Sequence, residues 1–431
     1  MAVIIPYIIS KYCEIIFESP INKSFYFGYY NYLPLSIDNN LLLAHHVSFE
    51  NRIPNANDFA EVGFFEIKSK KWYPIAKTNS FNWQQGSMLQ WLGPDFNSKI
   101  IYNYCKDNHY IARIIDINHN KIIELPKAIY GVHPNGETSI TLNFERANFT
   151  RAYSYYNFID KSWDKRISEK DGIILLNHKL ETFHTIISLQ EFLKKYKITD
   201  DGSTYHWFEH IFINPSGNRF AFYYRYGDSK CFSTRIFTSD LIGNDIWEFP
   251  NKNNDSLSHM CWKDDSNFII YKGQRSFLNK LWIGASSTPS KEKIHHSIYR
   301  KYLKKYLKKY LPKEKNTNIS YYALTCDKLG IVDKIKMYPN IDGHPSFSKD
   351  KRFILTDTYA DSDGYRNLLL YDTNKEKTYR LAKFFSPYNN VSWRADLHPR
   401  FSFDNQYIVV DSAHNGYHQI IVLKLFWDAI L

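Results

Sequence analysis

Two stretches, 342–359 DGHPSFSKDKRFILTDTY and 396–420 DLHPRFSFDNQYIVVDSAHNGYHQI, are written to one design. A histidine (His344, His398) is followed three residues later by Phe347 or Phe401, then by a polar turn, then by a run of β-branched and aromatic residues. The same design opens at His210 (HIFINPSGNRFAFYY) and at His259 (HMCWKDDSNFIIY), with Ile213 and Trp262 in the third place after the histidine. Histidine is only 16 of 431 residues, so four matching positions are placed rather than scattered. Self-similarity on this scale marks a repeated supersecondary unit, and stacked or ringed units bring matching positions together in space.

Weaker copies extend the repeat towards the N-terminus. MLQWLGPDFNSKIIYN begins at Met88 with Trp91 in the aromatic place, IYGVHPNGETSITLNF begins at Ile129, and YLPLSIDNNLLLAHHV has Tyr32 in the histidine position. The starts lie 41 residues apart from 88 to 129, 49 from 210 to 259 and 54 from 344 to 398, and the longer gaps 129 to 210 and 259 to 344 each contain an insertion. Seven units of about 40–50 residues with several short strands predict an all-β, seven-bladed propeller. The whole chain, 1–431, reads as one domain. Two helical insertions are expected, at about 150–206 and 287–320. The first includes ISLQEFLKKYK, expected to roof one side of the channel mouth. The second includes HHSIYRKYLKKYLKKYLPKEK, whose Tyr and Leu recur at i, i+3 and i+4 among lysines, the pattern of a basic amphipathic helix. Such a helix suits peripheral contact with a membrane surface or an acidic glycan, or packing over a blade. Ring closure is expected from the strand near FYFGYY (25–30) pairing with the last blade, because closing the ring removes exposed edges.

Composition narrows the class. The chain carries a formal charge of +11 and 17% aromatics, which suits strands and an anionic partner such as an acidic polysaccharide. Five scattered cysteines (Cys13, Cys105, Cys231, Cys261, Cys326) have neither disulfide-framework nor metal spacing. MAVIIPYIISKYCEIIFE lacks a basic leader region and a cleavage site and reads as a strand. A cytoplasmic setting is expected. P-loop, dinucleotide, HExxH and serine-elbow motifs are absent, as are nucleic-acid-binding motifs.

In a propeller the innermost strands line a central channel, so one face is expected to collect His210, His259, His344 and His398. The ends of the second strands join them, with His45, His46, Glu145, Arg146, Tyr224, Arg225, Asp357, Tyr359, Asp411 and His414. Such a face can serve a lyase, which removes a proton α to a uronate carboxylate and needs a base and a cation or metal to neutralise that carboxylate. Imidazoles with Asp396 or Asp357 can also hold a divalent metal. The bland alternative is that each histidine caps its own strand.

The stretches 342–359 and 396–420, with NWQQGSMLQWL (82–92) and HIFINPSGNRFAFYYRY (210–226), resemble the blades of oligogalacturonate lyase and of the propeller ulvan lyases; their turns are similar to TolB-type repeats. The resemblance implies a site at the channel mouth acting by β-elimination on a uronic-acid-containing polysaccharide or oligosaccharide. It implies a divalent metal (Mn, Ca or Zn) on His259, His344, His398 and Asp396. Asp396 stands where the lyases' His-x-His-Pro has its first histidine, and Trp393 where they have a glutamine. From the ulvan lyases it implies a carboxylate-neutralising Arg225 with His210, Tyr224 and His46 as catalytic groups. Arg146, Arg151, Tyr359, His414 and Arg400 are then expected to bind substrate. Similar propellers accompany bacterial surface-polysaccharide genes, so a role in glycan assembly and a noncatalytic glycan- or protein-binding role are the alternatives.

Overall fold

The β-branched runs pair as antiparallel hairpins, and the hairpins join into seven sheets. The computed structural model describes residues 5–150, 166–198, 202, 204–227, 232–251, 255–273, 320–388 and 391–431. β1 (Tyr7–Ile9) and β2 (Cys13–Glu18) come first. Blade 1 is β3 (Ser24–Tyr26), β4 (Leu41–Val47), β5 (Ala60–Glu66) and β6 (Lys71–Thr78). Blade 2 is β7 (Gln90–Trp91), β8 (Lys99–Lys106), β9 (His109–Asp116) and β10 (Lys121–Leu125). Blade 3 is β11 (Gly131–Val132), β12 (Thr138–Thr141), β13 (Gly172–Asn177) and β14 (Thr182–Ser188). Blade 4 is β15 (Tyr205–Ile213), β16 (Arg219–Gly227), β17 (Phe232–Asp240) and β18 (Trp247–Glu248). Blade 5 is β19 (Ser256–Trp262), β20 (Asn267–Gly273), β21 (Tyr321–Cys326) and β22 (Gly330–Ile335). Blade 6 is β23 (Ser346–Phe347), β24 (Phe353–Asp357), β25 (Tyr365–Asp372) and β26 (Lys377–Phe385); blade 7 is β27 (Arg400–Phe401), β28 (Tyr407–Ser412) and β29 (Gln419–Leu425). Three short helices, α1 (Phe144–Thr150), α2 (Leu189–Lys195) and α3 (Trp427–Ile430), complete the described elements. The seven-bladed propeller expected from the repeats is the fold found.

The repeat has a local cause. In blades 1, 6 and 7 a serine four residues after the histidine position (Ser36, Ser348, Ser402) bonds to an aspartate two further on (Asp38, Asp350, Asp404). The same serine oxygen accepts the N–H of Leu41, Phe353 or Tyr407, which opens the second strand. This shared turn verifies Tyr32 as the counterpart of His344 and His398. In blades 2 and 5 the residue three places after that position is a tryptophan that bonds to the preceding blade. Trp91 Nε1 donates to Pro34 O at 2.9 Å, and Trp262 Nε1 to Phe212 O at 2.8 Å.

Closure differs from the sequence expectation. The segment near 25–30 begins blade 1, and the strand that completes blade 7 is β2, paired antiparallel with β29 from Cys13↔Leu425 to Glu18↔Ile421. β1 adds a fifth strand to blade 6. Thus the apolar run at 1–18 does form strands, over 7–9 and 13–18. The stretch 150–206 is also more than an insertion, because 172–188 supplies the two outer strands of blade 3. The helix expected in ISLQEFLKKYK is α2. It does not line the histidine site: Phe192 packs on Phe208, Phe222, Tyr224 and Phe237 of blade 4. The basic stretch at 287–319 lies outside the described residues. No helix among the described residues is long and apolar enough to cross a membrane.

Candidate active site

The inner strands bend where the histidines sit. β15 skips a residue at His210 in its pairing with β16, and β19 skips Ser258 and His259 in its pairing with β20. His210 and His398 adopt left-handed backbone, φ 52° and 43°, as does Met88 at the same place in blade 2, φ 57°. A bulge of this kind re-aims one side chain out of the strand's alternation. In blades 5 to 7 the histidines form a contiguous row. The rings of His259 and His344 lie 4.2 Å apart, and those of His344 and His398 also 4.2 Å.

His210 stands apart from the row because Tyr29 intervenes. Tyr29 stacks on His210 (5.3 Å, 6° between planes) and meets His398 edge-on at 5.3 Å. Tyr30 follows, 5.3 Å from His344, with its hydroxyl donating to Met260 O at 2.6 Å. Arg400 holds this segment in the channel. It bonds to Gly28 O and, at 3.1 Å, to Tyr29 O, while Asp411 accepts the N–H groups of Phe27 and Gly28 and pairs with Arg400 at 2.9 Å. Beyond this plug, the other end of the channel is an apolar cavity of about 380 Å3 lined by Tyr30, Trp91, Phe212, Trp262, Phe347 and Phe403, among others.

Carboxylates fix the rings. Asp357 accepts His344 Nδ1–H at 2.9 Å and the backbone N–H groups of His344 and His398 at 2.8 and 3.2 Å. Gly343 permits this approach, since a Cβ there would fall 1.9 Å from Asp357 O. Asp342 pairs with His259 Nδ1 at 3.0 Å. Both bonds direct the Nε2 lone pair away from the partner carboxylate, the usual arrangement of an imidazole that binds a metal or takes a proton. Burial, then the neighbouring His344, holds His398 well below the ordinary imidazole range, so it is neutral, and its Nε2 is buried without a hydrogen-bond partner.

Asp396 is the fourth group. Burial opposes its ionisation, but Arg366 at 2.6 Å and Arg394 at 3.0 Å overcome that and hold the carboxyl well below its usual range. Ligand atoms of His344, His398 and Asp396 lie within 4.8 Å of one another. Tetrahedral donors at the ~2.1 Å metal bond length sit about 3.4 Å apart, so a modest contraction closes the set on an ion. The unpartnered Nε2 of neutral His398 and the carboxylate beside it fit a divalent transition metal. Two imidazoles argue against Ca, which takes oxygen ligands. His259 lies beside this set but outside it.

On the blade 4 side, Arg225 pairs with the fully buried Glu209 (2.5 Å) and packs over Phe232 and Tyr223. Glu209 also accepts Trp207 Nε1–H and approaches His210 Nε2 at 3.4 Å. Gln85 Nε2 donates to the Tyr130 hydroxyl, which is 2.7 Å from His210 Nδ1. The Glu209 carboxylate beside Nε2 favours the tautomer protonated there, with Nδ1 accepting from the Tyr130 hydroxyl. Tyr359 is 37% exposed and 6.2 Å from His344, and Arg366 packs near its ring. Desolvation of its hydroxyl, then Asp396, pushes its pKa well above the phenol range.

The sequence-derived set thus divides. His210, His259, His344, His398, Asp396, Arg225 and Tyr359 share this face. Tyr224 does not: successive strand residues alternate sides, so Tyr223 shares the Arg225 side while Tyr224 points away and bonds to His206 Nδ1 at 2.6 Å. His46, on β4, stacks on Phe25 and pairs with Glu61, away from the row. Arg146 is buried against Asp171 and the carbonyl oxygens of His206 and Arg166. His414 bonds to Ser412 and lies 3.0 Å from the Glu18 carboxylate at the closing strand. Arg400 is fully buried and braces the channel plug rather than presenting itself to a ligand. Trp393 packs against the cluster of Tyr26, Phe81 and Trp83. Arg151 lies outside the described residues. The reading missed Tyr29, Tyr223, Glu209, Arg366 and Arg394.

No protein-family model and no characterised protein sequence matches this chain. Solved structures do match. An oligogalacturonate lyase in complex with manganese superposes with a TM-score of 0.65 at 13% identity, covering 96% of this chain and 93% of its own. The oligogalacturonate lyase of Vibrio parahaemolyticus gives 0.58 at 10% identity, covering 94% and 92%. At these identities the likeness shows the fold: this chain has the propeller of the oligogalacturonate lyases.

Proposed function

We propose that the chain is a lyase that cleaves an acidic oligosaccharide by β-elimination at the histidine face. The observation that carries this reading is the convergence, on one face, of carboxylate-oriented imidazoles, a low-pKa carboxylate and arginines. The manganese-bound oligogalacturonate lyase of the same fold supports it.

His344, His398 and Asp396 would hold the metal, which when bound supplies a positive charge to the carboxylate of the uronate and its enolate-like state. Arg225, packed against Tyr223, shares that neutralisation. The His259–Asp342 pair is the base. Asp342 holds Nδ1, and Nε2 takes the proton from the carbon α to the carboxylate. The electron pair of that C–H bond forms the ring double bond as the bond from the adjacent carbon to the glycosidic oxygen breaks. Tyr359, held protonated by its raised pKa, gives the departing oxygen its proton. His210, with its proton on Nε2, acts as a hydrogen-bond donor rather than a base. Tyr29 separates it from the metal-binding pair.

Incubation with galacturonate oligomers, followed by ultraviolet absorbance of the unsaturated product, tests the reading. A rise abolished in His344→Ala and suppressed by EDTA is expected. A flat trace with folded wild-type protein across a panel of acidic glycans would shift the function to binding or glycan assembly.

A further inference from the structure

Asp396 faces two guanidinium groups with one carboxylate. Arg366 is the permanent partner: it is 3% exposed, its Nη1 lies 2.6 Å from Oδ1, and its Nε donates to Ser386 Oγ. Arg394 is differently placed. Its Nε donates to Oδ1 of Asp396 at 3.2 Å, and its Nη2 lies 3.0 Å from Oδ2 as an ion pair. A guanidinium has two such paired-donor edges. Arg394 spends the Nε/Nη2 edge on Asp396, which leaves Nη1 and the second Nη2 proton unused. Nη1 is neither buried nor hydrogen-bonded, and the side chain is 23% exposed. Its backbone is pinned, since Gln84 Nε2 donates to Arg394 O at 2.8 Å. Trp393 beside it is packed in a cluster of aromatic residues. Arg394 is therefore a held cation with one edge presented next to the exposed Tyr359, on the face that carries His344 and His398.

We propose that Arg394 is a second carboxylate-binding group of this site, gripping an acidic sugar next to the one held at Arg225. This rests on the lyase reading for the position of the substrate but not for turnover. The fork geometry accepts a planar carboxylate bidentately. With Arg225 on blade 4 and Arg394 on the approach to blade 7, the site takes an oligosaccharide bearing carboxylates on neighbouring sugars. A chain in which acidic and neutral sugars alternate would leave one arginine unpaired. Arg394 is thus a specificity-determining residue, and Asp396 sets its orientation.

The test is calorimetric binding of trigalacturonate and of galacturonate monomer to the full chain in EDTA, with lyase turnover measured separately on the metal-loaded protein. Arg394→Gln is expected to weaken trimer binding about tenfold, the loss of one bidentate ionic contact, while monomer affinity changes less than about twofold. Arg394→Lys, which keeps the charge but loses the fork, should fall between. Melting curves identify any variant that fails to fold, and the lysine variant then decides. Trimer affinity unchanged in both variants overturns the proposal, as does wild-type protein that binds no trimer. A wild-type protein that binds trimer through Arg394 but yields no unsaturated product sinks the lyase reading alone.

Discussion

Blades 4 to 7 and blades 1 to 3 are built to one pattern and carry different chemistry at one position. In the former it holds His210, His259, His344 and His398; in the latter Tyr32, Met88 and Ile129. The backbone does not distinguish them: Met88 has the same left-handed conformation as His210 and His398. What differs is the side chain and its partners. Met88 and Ile129 are fully buried in the main hydrophobic core, and Tyr32 donates to Tyr130 O, whereas His259 and His344 meet carboxylates. One part of the ring uses this position for packing, and the other uses it for a polar site.

The comparison is broken most severely at its functional half. His344→Ala should abolish metal binding in calorimetry and lower turnover by about a thousandfold or more, the scale of losing an electrostatic stabiliser, with the fold retained. Retained metal affinity would sink the assigned ligand set. Next in size, the tryptophan that ties blade 2 or blade 5 to its predecessor should matter equally in both halves. Trp91→Ala and Trp262→Ala should each lose about 3–5 kcal/mol in denaturant unfolding, and a loss confined to one of them would break the equivalence.

A third effect comes from acid. Burial lowers the His45 pKa from 6.5 to about 4, and the ring accepts the Ser87 N–H. A depressed histidine pKa stabilises the fold fully above the unfolded value, near 6.5, and the contribution is lost as pH falls towards 4. The contribution is about 3 kcal/mol at neutral pH. Melting temperature should therefore drop across that window, and His45→Gln should flatten the drop. An equally steep drop in the variant would assign the acid sensitivity elsewhere, His398 being the next candidate. The smallest effect is expected at His46, on a part-exposed pair with Glu61. His46→Ala should cost about 1 kcal/mol or less and leave turnover unchanged; a large loss of turnover would return it to the site.

How much of this could be read from sequence follows from how local each signal is. The histidine, the aromatic three residues later and the Ser–Asp turn lie within ten residues of one another, so the blade and its inward position were legible. The plug was not: Tyr29 and Tyr30 precede the weakest copy of the repeat, and the backbone at 27–29 is held in the channel by Arg400 and Asp411 of the last blade. Tyr223 was within reach, because strict alternation along β16 puts it, and not Tyr224, beside Arg225. β13 and β14 were hidden by the long connection after β12, which separates them from the hairpin they extend. Asp396 was legible from its place beside His398, but Arg366, on the third strand of blade 6, and Arg394 are recognisable as its partners only in three dimensions.

β1 and β2 pair with β26 and β29, strands made some 400 residues later in the chain. During synthesis β1 and β2 are made first and must wait without partners until β26 and β29 follow. The last step of assembly is then a ring-closing encounter over nearly the longest sequence separation the chain contains, the kind of contact that slows folding. A newly made molecule is therefore most vulnerable to capture by another chain's β-edge at the one seam that later makes the finished ring continuous.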